Sequence, residues 1–205
     1  MSPRIRLQFG TTALFLFVGL ALSGTLLRSQ AVAPLAAVPA EEYAVYAAAM
    51  LKVVHGSSCV VVDTTSMHNK PGEIPAALNF PPEDKPRLTA DLVGDFKMKN
   101  SAPSTLASGF PAAVSVTLIT EAERQAMFAG CLGGDACGWS VFYKRYAGAS
   151  GITSLSRVGF NDARNIALLY LGHSRDWEAG MGLYVLLAKH EGRWEVASLT
   201  TSWIS

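Results

Sequence analysis

The stretch ITSLSRVGFNDARNIALLYLGHSRDWEAGMGLYVLLAKHEGRWEVASLTTSWIS, residues 152–205, decides the fold. Its apolar residues recur with a period of two, the spacing of a strand with one buried face. Ile152 to Phe160 reads as a strand, and Asn161-Asp162-Ala163-Arg164 has the chemistry of a turn. Arg164 to His173 is nearly continuous apolar sequence, as in a central strand covered on both faces. Met181 to His190 and Arg193 to Ile204 complete the set. Glu191-Gly192 between them is a two-residue hairpin turn whose glycine supplies a positive φ. Four strands with short connections predict an antiparallel meander. Trp194 and Val196 then face the helices, while Arg193 and Glu195 face away.

Upstream of residue 152 the pattern is mainly helical. Glu41 to Val54 places Tyr43, Tyr46, Ala47, Met50 and Leu51 near one face, and Gly56 supplies a stop. Cys59 to Asp63 is a short β-branched run and reads as a buried strand. Thr64 to Arg87 carries five prolines and is expected to be a long loop. Thr89 caps a helix that runs to about Lys99, with Leu92, Val93 and Phe96 inward. Ala112 to Ile119 alternates as a strand does, and Thr120 then caps a second short helix. Trp139 to Tyr146 reads as one or two helical turns. The class is α+β: a C-terminal four-stranded antiparallel meander packed by N-terminal helices on one face. Residues 41–205 form a single domain.

The chain begins differently. Arg4 and Arg6 precede an uncharged apolar stretch, Leu7 to Leu27, that stops at Arg28. A basic start and an apolar core form an export signal. The stretch is also close to the roughly 20 residues that span a bilayer. Residues 1–28 are therefore read as a signal peptide or a membrane anchor, with residues 7–27 a possible tether. Small residues at alternate positions offer cleavage after Ser23, Ala31 or Ala40. Residues 29–40, rich in Ala, Pro and Val, read as a stiffened linker. The expected location is periplasmic or extracellular, or anchored to the inner membrane.

With 17 basic and 16 acidic side chains, the chain has no basic surplus for nucleic-acid phosphates. Of its three cysteines, Cys131 and Cys137 flank a glycine-rich loop and are expected to pair. That leaves Cys59 as a buried free thiol. One loose cysteine pair without a nearby histidine does not meet the four-ligand pattern of zinc, so no metal and no cofactor is assigned.

Two clusters carry candidate chemistry. Asp63, Ser66 and His68 follow a strand and have the composition of a hydrolytic site. The Gly-x-Ser-x-Gly elbow is absent. His173, Asp176 and Glu178, in a hairpin loop, could bind a ligand or divalent ion or act as acid and base. Both compositions also occur in ordinary turns. Gly180-Met181-Gly182 is not a phosphate loop, because it precedes a strand. Trp139, Trp194 and Trp203 read as core residues.

Ser156-Arg157-Val158-Gly159-Phe160-Asn161, Gly180-x-Gly182-Leu183-Tyr184, Gly192-Arg193-Trp194 and Trp203-Ile204-Ser205 together resemble a pattern found in uncharacterised bacterial envelope proteins. The resemblance implies location and fold and no activity. The hairpin from Gly192 to Val196 is also similar to one in the cone-shaped α+β fold of the nuclear transport factor 2 superfamily, which encloses a pocket between sheet and helices. The sequence thus points to an exported or tethered envelope domain with a binding or interaction role. The alternatives are a small hydrolase using Asp63, Ser66 and His68, and a small-molecule-binding pocket of the cone-shaped type.

Overall fold

The computed structural model describes residues 34–55, 58–66, 78–131 and 137–205. The helices are α1 (Ala40–Val53), α2 (Ala90–Lys99), α3 (Glu121–Phe128) and α4 (Cys137–Arg145). The strands are β1 (Ser58–Val62), β2 (Val116–Ile119), β3 (Ala149–Leu155), β4 (Gly159–Phe160), β5 (Ile166–Asp176), β6 (Ala179–His190) and β7 (Arg193–Ile204). They form one mixed sheet in the order β2-β1-β3-β5-β6-β7, with β4 beside β5. The class is α+β, and β3, β5, β6 and β7 form the antiparallel meander.

Two features exceed the sequence reading. First, β1 pairs in parallel with both β2 and β3, extending the meander into a seven-stranded sheet. Second, helices cover both faces of the sheet. Along β5 successive side chains alternate sides. Ala167, Leu169 and Leu171 pack with Tyr43, Tyr46 and Met50 of α1. Leu168 and Tyr170 pack with Leu92 and Phe96 of α2. The continuous apolar run of β5 is what coverage on both sides demands. A third cluster joins Val60, Val62 and Ile119 to Met127, Trp139 and Phe142.

The helices start and stop for local reasons. Thr120 caps α3 through a capping box: its hydroxyl accepts from the Glu123 N–H, and the Glu123 carboxylate accepts from the Thr120 N–H. In α1 the expected inward residues are buried except Leu51, which is 59% exposed. The β6–β7 turn has positive φ at Glu191 and Gly192, as a two-residue hairpin requires. Beyond it Arg193 and Glu195 are exposed, while Trp194 and Val196 pack against the α1 core.

The expected strand Ile152–Phe160 is interrupted. It divides into β3 and β4 at Ser156-Arg157-Val158, and a buried ion pair sits at the break. Glu42 of α1 is fully buried. Its carboxylate accepts from Arg157 Nη2 at 2.6 Å, from Arg157 Nε at 3.0 Å and from the Val158 N–H at 2.8 Å. Tyr46 Oη also donates to Glu42, and burial is the first cause that raises its phenol well above the ordinary range. Asp95 of α2 accepts from the Phe160 N–H, and Asn100, which ends that helix, accepts from the Arg157 N–H. Gly159 lies so close to α2 that a Cβ there would be 2.5 Å from that of Phe96. This short segment binds α1, α2 and β5 together.

The folded part also begins earlier than the linker reading implies. Thr105 accepts from the Val38 N–H and donates to the Ala36 carbonyl, and Val38 is buried in the core. The apolar stretch 7–27 lies outside the described residues, and among the described residues no helix is long and apolar enough to cross a membrane.

Candidate ligand cavity

Four residues stand in register across the sheet: Ser154 of β3, Gly172 of β5, Gly182 of β6 and Trp203 of β7. In the adjoining row Ile152, Ser174 and Gly180 stand in register. Glycine at three of these positions leaves the sheet surface low. The Trp203 indole occupies the space: a Cβ on Gly182 would collide with it, and one on Gly180 would approach it to 2.9 Å. Its Nε1–H donates to Tyr170 Oη at 2.6 Å. A Cβ on Gly172 would lie 2.6 Å from Ser154 Oγ. The shelf thus fixes a tryptophan against the strands and opens a cavity beside it.

That cavity has a volume of about 570 Å³, within the roughly 300–1,000 Å³ of small-molecule sites. Its rings come from separate elements: Phe128 of α3, Trp139 of α4, Trp177 of the β5–β6 hairpin, Tyr170 and Trp203. Phe128 meets Trp139 edge-on at 5.1 Å and Trp177 at 5.6 Å, tying the helices to the hairpin. Hydroxyls come from Thr64, Ser66, Ser154, Ser174 and Ser205. The charged lining residues are Glu121, Arg124 and Asp176. Arg124 donates to Glu121 through Nε and Nη2 at 2.7 and 2.5 Å. These hydrogen bonds hold the Glu121 carboxyl below, and the Arg124 guanidinium above, its ordinary pKa.

The cavity collects some of the residues expected from sequence and leaves others elsewhere. Ser66 lines it, whereas Asp63 accepts from Thr64 Oγ1 at 3.1 Å and is not among the lining residues; His68 lies outside the described residues. Asp176 lines it and is exposed, as is Glu178. His173 lies on the opposite side of β5, buried beside Thr153, with Nδ1 3.0 Å from Thr153 Oγ1. Burial lowers its pKa to about 4; a hydrogen bond to the Ser150 backbone acts the other way, and Arg175 and His55 lower it further. Among the described residues no group of three or more His, Cys, Asp or Glu side chains could hold a metal ion. Cys59 is free and buried, and burial raises its thiol pKa. The Cys131–Cys137 pairing falls on a side chain outside the described residues.

Trp139 belongs to the third core cluster as expected and also lines the cavity, Trp203, likewise expected as core, lines it too, and Trp194 packs against the α1 core and Phe160. The glycine shelf was present in the sequence as glycines inside apolar strands, a mark of close approach. Register was needed to bring Gly172 opposite Gly182 and Trp203 above both. No family model, curated protein or solved structure matches the chain.

Proposed function

We propose that this protein is an exported or membrane-tethered cell-envelope domain that binds a small organic ligand in the cavity between β5–β7 and α3–α4 and performs no chemistry on it. The basic, apolar start of the chain supports export. The cavity supports binding: it is lined by rings and hydroxyls, and its shape depends on three glycines that have no other evident role. A hydrophobic site with a few convergent polar groups is the usual form of a ligand pocket. The charged residues at its edge are spent largely on each other, Arg124 on Glu121.

The test uses the uncharged fluorophore N-phenyl-1-naphthylamine as the probe. One dye is expected to bind per folded chain with enhanced emission, and Ser174→Trp, which fills the cavity, abolishes the signal. Trp177→Ala, at the edge, weakens binding without blocking entry. Equal dye binding by wild type and Ser174→Trp, with both folded by circular dichroism, overturns the reading.

A further inference from the structure

From the donors that line this cavity we infer that its ligand is an uncharged, hydroxyl-bearing ring compound with a carbonyl acceptor, of the class of N-acetylated sugars. The inference rests on the cavity being a binding site. Four observations converge on it. The Trp139 indole N–H is buried and has no hydrogen-bond partner among the described residues. A buried donor left unpaired carries a desolvation cost, and such groups are rare. The side-chain hydroxyls of Ser66, Ser154, Ser174 and Ser205 form no hydrogen bond within the described residues, and all four line the same cavity. Arg124, the one basic side chain among the described lining residues, is already paired with Glu121, so a phosphate or carboxylate ligand meets no unengaged cation there. The remaining lining is mostly apolar, with the rings of Phe128, Tyr170, Trp177 and Trp203 beside Val62 and Ile152, and its other acidic side chain, Asp176, is exposed.

A pyranose matches this arrangement. Its C–H faces pack on aromatic rings, whose faces are electron-rich. Its hydroxyls both donate and accept, as serine hydroxyls do. An acetamide carbonyl accepts from an indole N–H, which only donates. Trp139 lines the cavity and its indole nitrogen is buried, so a ligand acceptor reaches that nitrogen only if the rings around it shift. Filling that bond is selective, because the acetamide carbonyl extends beyond the ring and is a stronger acceptor than the hydroxyl that replaces it in an unacetylated sugar.

Two probes differing in the acetamide test this: N,N'-diacetylchitobiose and cellobiose, each titrated against the full chain by calorimetry and by displacement of the naphthylamine dye. Diacetylchitobiose is expected to bind about tenfold tighter than cellobiose, the scale of one hydrogen bond. Trp139→Phe keeps a ring but removes the N–H. It is expected to erase that preference while leaving the thermal midpoint no lower. Should this variant not fold, Ser154→Ala, expected to weaken both sugars several-fold, stands in its place. A wild type that binds the dye but neither sugar, or a Trp139→Phe protein that retains the preference, overturns the ligand class and leaves the cavity reading standing. A wild type that binds no dye and no sugar overturns both. Co-sedimentation with N-acetylated cell-wall glycan, beyond disaccharide binding, supports the class and assigns the source to the polymer. Disaccharide binding without co-sedimentation supports it and assigns the source to free sugar.

Discussion

Two arginines show how one residue type can differ in consequence. Arg157 and Glu42 form an ion pair with side chains 11% and 0% exposed, whereas Arg164 and Glu41 pair with both about half exposed. Removing Arg157 leaves a carboxylate in the core without its cation, so Arg157→Ala is expected to cost about 3–5 kcal/mol. Arg164→Ala removes a solvated pair and is expected to cost at most about 0.5–1 kcal/mol. Urea denaturation of both variants measures the difference; similar midpoints would show that Glu42 does not need its partner. His173 gives a second test. Its pKa of about 4 lies below the ordinary 6.5, so the unfolded chain takes up the proton first as the pH falls. The contribution is complete above the unfolded value and is lost between pH 6.5 and about 4, by up to about 3 kcal/mol. His173→Gln should flatten the stability profile across that window, and an unchanged slope would place the titrating group elsewhere.

The elements α2 and β4 meet with no room to spare. A methyl on Gly159 would press on the backbone and Cβ of Phe96, and neither can move without shifting the helix. Gly159→Ala is therefore expected to destabilise by about 1–3 kcal/mol or more. Gly94 lies on the exposed side of the same helix with nothing within 4 Å of its added Cβ. Gly94→Ala should stabilise by about 0.5–1 kcal/mol, because glycine is the poorer helix former. Opposite signs in thermal midpoints are the expected outcome. If Gly159→Ala is neutral, the contact between α2 and β4 is looser than described.

For the whole molecule, the proposed export bears on where the folded unit begins. Of the three cleavage points in the sequence, the one after Ala40 would remove Val38, with its pairing to Thr105, and Pro39, which stands at the start of α1. If the chain is exported as proposed and then processed, its new N terminus is expected after Ser23 or Ala31. Intact-mass measurement of the exported protein decides this, and a chain beginning at Glu41 would show that the Val38 contact is dispensable.

The sequence by itself determined the period-two run from residue 152, the hairpin at Glu191-Gly192, the helix start at Thr89, the capped helix at Thr120, and hence the α+β class. These signals are local: a turn needs its glycine, a cap needs its hydroxyl, and an amphipathic element repeats with its own geometry. Only the tertiary structure decided that β1 joins the sheet in parallel, that helices lie on both faces, and that Glu42 meets Arg157 across 115 positions. It alone decided which tryptophans line a cavity, because that depends on register. Gly172, Gly182 and Trp203 each carry an ordinary strand signal. Their joint meaning arises when two antiparallel pairings bring them into one row, and no local pattern encodes the alignment of strands that the chain joins only after folding.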